Sequence, residues 1–239
     1  MLHGLFDRSL DLIFPRRCPV CDEAVDIPGR LICRDCEGLF TEIREPYCMK
    51  CGRPLTDDSV RFCDECQSKS FEYVRGRAAF EYDDRLKESI YRFKYGGRCE
   101  YADYYAVPMG RLLGSWIRSV RPDALVPIPL HKSRLHKRGY NQAELLADRL
   151  GKITGISVRN DILLRSGKTA AQKGLDASER QNNLKKALKI GADVVKLKNI
   201  ILIDDIYTTG STINAAASCL RRFGVENVYF AVLGMASKL

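Results

Sequence analysis

One stretch near the end of the chain, residues 199–214, restricts the possible folds most strongly. It begins with four aliphatic residues, Ile200 to Ile203, a run short enough to form a strand buried on both faces. The strand ends in two carboxylates, Asp204 and Asp205, and a turn of small hydroxyl residues around Gly210 precedes an Ala-rich helical segment. This pattern predicts a strand–loop–helix unit of an open α/β sheet, in which ligands bind beyond the carboxyl ends of the strands.

The turn itself is suited to binding a phosphate group. Gly210 lets the backbone approach a ligand closely, and the free N–H groups at the start of the helix point towards a bound anion. Side-chain hydroxyls add further donors. The candidate phosphate-binding residues are Thr208, Thr209, Gly210, Ser211 and Thr212.

The two acids narrow the choice of ligand. Asp204 and Asp205 would repel a phosphate unless the ligand also carried hydroxyl groups or a metal ion, and a phosphorylated sugar with Mg²⁺ has both. Neighbouring strand residues point to opposite faces, so we expect one carboxylate to face the sugar and the other to brace the loop or reach the metal. An acidic strand end that merely caps an ordinary turn remains the simpler alternative.

Residues 201–212 resemble the PRPP-binding motif of type I phosphoribosyltransferases: four hydrophobic residues, two acids and T-T-G-x-T. The resemblance implies that the loop binds 5-phosphoribosyl-1-pyrophosphate (PRPP) together with Mg²⁺. It makes Asp204 and Asp205 the candidate catalytic residues. The implied fold is α/β, with a doubly wound, mostly parallel sheet.

Eight of the ten cysteines form two copies of one pattern, C-x₂-C-x₁₁-C-x₂-C, shifted by thirty residues. Paired C-x-x-C knuckles place two thiolates on a tight turn at a separation that suits tetrahedral zinc. No open ligand position or nearby histidine indicates catalysis, so we expect two structural zinc sites in a double zinc ribbon. The candidate ligands are Cys18, Cys21, Cys33, Cys36, Cys48, Cys51, Cys63 and Cys66.

Several alternatives stay open for these cysteines. One zinc in each block is favoured, because each block is a complete ribbon unit, but cross-braced pairing fits the spacing as well. Disulfides fit a cytoplasmic-looking chain poorly, and an iron–sulfur cluster is a weaker option. The pattern predicts two domains: a zinc-ribbon module over residues 1–70, opened by an amphipathic helix from Leu2 to Phe14, and a phosphoribosyltransferase-like domain over residues 71–239.

Composition and charge restrict the class of protein and its partners more broadly. The chain has 239 residues, of which 45% are hydrophobic and 29% charged, with a formal net charge of +9. The positive charge favours anionic partners such as phosphates or nucleic acid, although a solvated basic surface explains it equally well. No apolar run approaches the ~18 residues of a membrane span. Charges at Asp7, Arg8 and Asp11 interrupt the first residues, which argues against a secretory signal and predicts a cytoplasmic protein.

A strongly basic segment follows the predicted strand Ala124 to Pro129. Six of the thirteen residues 130–142 are Lys, Arg or His. In an α/β sheet this loop would lie at the same edge as the acid pair and bind a diphosphate through charge-assisted hydrogen bonds. A solvated loop, or one that binds a nucleic acid backbone, is the alternative. The candidate PRPP ligands in this segment are His131, Lys132 and Arg138.

Other segments give coarser predictions. A strand from Tyr73 to Tyr82 leads to a helix that ends at 94–98, where Lys94 either reaches a phosphate or complements the helix dipole. Residues 102–120 predict a helix broken near Pro108. Residues 165–174 predict a mobile cationic loop that closes over the ligand, with Lys173 as a candidate PRPP ligand, followed by a helix to about residue 188.

The order of the motifs over nearly the whole chain resembles the ComF family. In chain order, these motifs are the two Cys₄ ribbons, KYGG at 94–97, VPIPL at 126–130, RGYNQ at 138–142, ERQNNL at 179–184 and the Asp204 motif. The resemblance implies a protein of DNA uptake during natural transformation, which handles incoming single-stranded DNA in the cytoplasm with a helicase-like translocase as partner.

Two classes of function therefore stand side by side. In the first, the protein binds PRPP as a phosphoribosyltransferase, in DNA uptake or in nucleotide metabolism. In the second, it is a non-catalytic module that binds single-stranded nucleic acid with the retained fold. The sequence identifies no hood that would bind a purine or pyrimidine, and this favours the second class.

Overall fold

The computed structural model describes residues 15–165, 187–191 and 197–236. The predicted helix from Leu2 to Phe14 and the segment with Lys173 lie outside these ranges. The helices are α1 Asp64–Ser68, α2 Asp84–Tyr95, α3 Tyr101–Ser119, α4 Lys132–Arg138, α5 Gln142–Thr154 and α6 Ser211–Arg222. The strands are β1 Arg75–Glu81, β2 Ala124–Pro127, β3 Leu163–Arg165, β4 Leu188–Ile190, β5 Asn199–Tyr207 and β6 Asn227–Met235.

The main sheet has four parallel strands among the described residues, in the order β1-β6-β5-β2. Strand β5 lies inside it, with Ile203 opposite Ala231 of β6 and Pro127 of β2. Strands β3 and β4 form a separate antiparallel pair. The structure confirms the predicted α/β fold with a mostly parallel sheet.

Each face of the sheet supports its own hydrophobic core, as parallel strands require. On one face Ile201 and Ile203 pack in a cluster with residues of α3 and α5, among them Tyr105 and Leu146. On the other face the core contains alternate strand residues and most of α6. That second core also includes Cys48, Cys51 and Cys63, so the second cysteine block packs directly against the sheet. The boundary near residue 70 stays a prediction.

Helix α2 lies across the carboxyl edge of the sheet. The side chain of Asp83 caps its first turn by accepting a hydrogen bond of 2.8 Å from the Leu86 amide. Leu86 packs against Gly234 near the end of β6, whereas Lys94 in the last turn reaches the end of β5. This path brings the C-terminal turn of α2 next to the acid pair.

Two predictions about helices were wrong. Helix α3 continues through Pro108, because Tyr105, Met109, Leu113 and Ile117 bury one face of it on both sides of the proline. The basic segment after β2 is partly helical and not a plain loop. His131 accepts a hydrogen bond from the Ser133 amide at the start of α4, and a left-handed glycine ends it.

Among the helices of residues 15–165, 187–191 and 197–236, none combines the length and the apolar character needed to cross a bilayer.

Candidate phosphate-binding site

The loop after β5 has the geometry of an anion-binding turn. Gly210 takes a left-handed conformation (φ 73°) immediately before α6, and the Asn214 amide donates to its carbonyl oxygen at 2.8 Å. A Cβ atom at this position would lie 2.3 Å from the hydroxyl oxygen of Tyr207. Glycine is therefore required twice, by the backbone conformation and by the packing below the loop.

Two buried tyrosines support the loop from below. The hydroxyl groups of Tyr73 and Tyr207 are hydrogen-bonded to each other at 2.7 Å inside the core. The ring of Tyr207 stacks on Phe230 with centroids 4.8 Å apart and an interplanar angle of 5°. Burial raises the pKa of both phenols, so the pair stays neutral and acts as a fixed support. On the loop itself, the Thr209 and Ser211 hydroxyls are 2.9 Å apart.

The two acids have different environments, as the alternation of strand residues predicted. Asp205 is buried, and both of its carboxylate oxygens pair with the ammonium group of Lys94 at 2.9 and 2.8 Å. The sequence raised Lys94 as a phosphate contact or a helix-dipole lysine; it is instead the partner of Asp205. The paired carboxylate is held in one position, which suits the bracing role expected of one of the two acids.

Asp204 is half-buried, and one of its oxygens accepts a hydrogen bond of 2.9 Å from the Asp205 amide. Burial, followed by repulsion from Asp205, raises the pKa of Asp204 to about 7, while Lys94 and Arg165 act in the opposite direction. Asp204 is thus the carboxylate that is not neutralised by a direct ion pair in the described structure. It is the one able to take up a cation or a hydroxyl donor.

Arg165 was missed as a site residue, because we placed it in a mobile loop. It is the last residue of β3, and its guanidinium lies within electrostatic range of Asp204 and Arg134. Burial and the neighbouring Arg134 lower its pKa. Its Nε atom is buried without a hydrogen-bond partner among the described residues. The apolar run Ile162–Leu164 before it was the signal for a strand.

The predicted ligands of the basic segment lie on or beside α4. His131 caps the helix and Lys132 is exposed at its start, while Arg138 at its end donates to the side-chain oxygen of Gln142. A cavity of about 710 Å³ separates the start of α4 from the β3 strand and is lined by His131, Lys132 and Arg165 among others. Their role as PRPP ligands stays a prediction, as does that of the five loop residues.

The second cysteine block directly contacts residues 208–212, the loop after β5 that we call the phosphate loop. Arg53, whose exposed fraction is 7%, donates from Nη2 to the carbonyl oxygen of Thr208 at 3.1 Å and to Glu65 at 3.0 Å. The contact joins residues that are 155 positions apart in sequence. A buried guanidinium that bonds a loop carbonyl restricts the loop conformation.

Both cysteine blocks have a geometry that fits zinc. Within each block, the four sulfur atoms lie within 4.8 Å of one another, in the sequential grouping that the sequence favoured. The distances between Cys18 and Cys33, Cys21 and Cys33, and Cys51 and Cys63 are 3.5, 3.7 and 3.7 Å. Four sulfurs around a tetrahedral zinc, with Zn–S bonds of about 2.3 Å, are about 3.8 Å apart. The agreement between the observed and the expected sulfur separations supports one structural zinc site in each block.

Two family models match the chain. One is described as a double zinc ribbon domain and matches residues 9–67; the other is described as a phosphoribosyl transferase domain and matches residues 135–236. Among solved structures, the purine phosphoribosyltransferase from Pyrococcus horikoshii Ot3 shares 17% sequence identity. Its TM-score is 0.37 over 55% of this chain and 74% of that chain.

Curated relatives match over most of their length. Competence protein F from Haemophilus influenzae is 31% identical over 90% of this chain and 95% of the relative. Competence protein ComFC from Bacillus subtilis is 32% identical over 82% of this chain and 80% of the relative. DNA utilization protein YhgH from Salmonella typhimurium is 30% identical over 91% and 96% of the two chains.

The zinc geometry predicts the metal content of cysteine variants. The purified protein should contain two zinc ions per chain by elemental analysis, and Cys51→Ser should contain one, since three ligands bind zinc far more weakly than four. Cys219→Ser is the matched control, because Cys219 lies outside both clusters, and it should keep two zinc ions. A Cys51→Ser protein with a full complement of zinc would contradict the assignment.

The Arg53 contact predicts a local change in the phosphate loop. Arg53→Ala removes a charged hydrogen bond to the loop carbonyl, so amide exchange over residues 205–212 should become about 10- to 100-fold faster. Hydrogen exchange with mass spectrometry measures this in the ligand-free protein. Arg16→Ala is the control, because Arg16 joins the first cysteine block to Asp103 of α3, and loop exchange should not change. Equal exchange in all three proteins would show that the contact does not restrain the loop.

Proposed function

Because the chain belongs to the ComF family of competence proteins, we propose that it binds PRPP at the Asp204 loop and acts in DNA uptake, handling incoming single-stranded DNA in the cytoplasm. The observation that carries the proposal is the pairing of a glycine-dependent anion turn with two carboxylates in different environments: Asp205 is braced by Lys94, and Asp204 has no ion pair among the described residues. A phosphorylated sugar needs both features. A helicase-like translocase as protein partner rests on the family resemblance alone.

In this proposal each part of the site has a separate task. The amides and hydroxyls of Thr208 to Thr212 bind a phosphate group, and Asp204 accepts hydrogen bonds from ribose hydroxyls. Arg165 and the cations of α4 attract the diphosphate. Asp205 and Lys94 keep the loop in place.

The site also fits Mg²⁺ bound with PRPP. Magnesium binds proteins through one or two carboxylates and takes its other ligands from phosphate oxygens and water. Asp204 would supply the protein ligand, and the ion would offset the repulsion between the acids and the diphosphate. In an active transferase, the protein would position an acceptor base against the ribose C1 and stabilise the leaving pyrophosphate.

A non-catalytic nucleic acid module is the second candidate function, and one observation favours it. Four basic side chains of α4 are exposed together on the surface: Lys132, Arg134, His136 and Lys137. Exposed cations at one edge bind the phosphate backbone without reading its sequence, and such binding weakens steeply as salt rises.

Calorimetric titration with PRPP and Mg²⁺ tests the proposal, with and without a single-stranded oligonucleotide. We expect the wild-type protein to bind PRPP and Asp204→Asn to bind at least about tenfold more weakly, since it loses a charged hydrogen-bond acceptor. Glu226→Gln is the control: it makes the same change of charge next to the amino end of β6, and PRPP affinity should not change. Salt-sensitive oligonucleotide binding without any PRPP binding would leave only the second candidate.

The raised pKa of Asp204 predicts how its contribution to stability depends on pH in the zinc-loaded protein without PRPP or Mg²⁺. Its pKa is about 7 in the folded chain and ~3.9 in an unfolded one, so between these values the folded state binds more protons. The contribution of Asp204 to stability should therefore fall as pH rises from about 4 to about 7. Asp204→Asn removes this contribution, so the variant should have a higher Tm than the wild type at pH 8. A lower Tm would contradict the assigned environment of Asp204.

A further inference from the structure

Helix α2 exposes two tyrosines beside the candidate site. Its buried face consists of Leu86, Ser89, Ile90 and Phe93. On the outer face, Tyr91 and Tyr95 are 63% and 59% exposed, more than the other large hydrophobic side chains that the described structure leaves in solvent. They are one helical turn apart, and their ring centroids are separated by 5.0 Å. Together they form a continuous aromatic surface.

The position of this pair links it to the acid pair. Tyr95 directly follows Lys94, whose ammonium group binds Asp205. The tyrosine pair therefore lies on the same end of α2 that contacts the acid pair. The hydroxyl group of Tyr140 donates to the carbonyl of Phe93, which fixes this end of the helix to the segment after α4.

A cation completes the surface. The guanidinium carbon of Arg138 lies 5.0 Å from the centroid of the Tyr95 ring, and the same side chain donates to Gln142. Gln142 is itself buried, and its amide nitrogen has no hydrogen-bond partner among the described residues. Arg138 thus holds the Tyr95 ring in one orientation and adds positive charge beside it.

We propose that Tyr91 and Tyr95, with Arg138, form a stacking platform for an unpaired nucleobase of single-stranded DNA. The inference rests on the proposed function and deepens it, by assigning the base-binding element that the sequence did not identify. Bases stack on exposed aromatic rings and on guanidinium planes, and this stacking tolerates any base because each has a π face. Arg138 is the last residue of α4, and the exposed cations of the same helix would attract the phosphates of the same strand.

A second copy of the chain is the other possible occupant of an exposed aromatic pair. The nucleobase is favoured, because the Tyr95 ring contacts the Arg138 guanidinium and the pair lies on the helix end whose Lys94 binds Asp205. The two occupants make different predictions for oligomeric state and for abasic DNA.

Fluorescence anisotropy with a dT oligonucleotide of about 15 nucleotides tests the platform, using the zinc-loaded full chain. Tyr95→Ala should bind about 5- to 150-fold more weakly than the wild type, whereas Tyr95→Phe should bind within about twofold. The salt dependence of affinity should not change in Tyr95→Ala, since no phosphate contact is lost. Phe223→Ala removes a 54% exposed ring at the far end of α6 and should bind as the wild type does.

An abasic oligonucleotide of the same length separates stacking from other effects. The wild type and Tyr95→Ala should bind this abasic strand with equal affinity. In a strand with 2-aminopurine at one position, the wild type should quench the 2-aminopurine fluorescence and Tyr95→Ala should not. Equal affinity of both proteins for the dT strand would overturn the inference. So would a Tyr95→Ala variant that loses as much affinity for the abasic strand as for the dT strand, or one whose oligomeric mass differs from that of the wild type. PRPP calorimetry on the same variants reports separately on the proposed function.

Discussion

The need to cover both faces of a parallel sheet determines the rest of this structure. Strand β5 carries the acid pair, and the four aliphatic residues before it, Ile200 to Ile203, are fully buried. Helices α3 and α5 cover one face, but α6 shares the other face with the second cysteine block. A ribbon that fills part of the core cannot be separated from the sheet without exposing that core. The second ribbon is therefore a component of the phosphate site as well as a metal-binding unit.

The two ribbons differ in this respect. Cysteines of the second block share a core with Tyr73 and Tyr207, the tyrosines below the phosphate loop. The first block forms a small core of its own, on which Tyr104 of α3 packs, and ion pairs such as those of Asp22 with Arg98 and of Arg16 with Asp103 add to its contact with the rest of the chain. Partly exposed ion pairs stabilise a contact far less than buried apolar surface does. Metal loss should consequently disturb the phosphate loop more when it affects the second block.

Local patterns predicted much of the fold, and long-range contacts account for most of what they missed. The strand before Asp204, the glycine turn and both cysteine groups follow from residues close together in the chain. The partner of Asp205 is 111 positions away, and the arginine on the Thr208 carbonyl is 155 positions away, so no local pattern could reveal them. Pro108 misled the prediction because tertiary burial outweighs the roughly 3 kcal/mol cost of a proline in a helix.

The asymmetry of the acid pair would suit the proposed ligand, whose two parts have opposite electrostatic requirements. A diphosphate requires positive charge, whereas ribose hydroxyls require an acceptor, and two free carboxylates side by side would repel the first while binding the second. Lys94 neutralises Asp205, so the pair carries less net charge than its sequence implies. Asp204 keeps its acceptor oxygens, and Arg165 lies close enough to lower its pKa and offset part of its charge. The same lysine fixes the end of α2, so its ion pair with Asp205 also positions the helix that carries the exposed tyrosines.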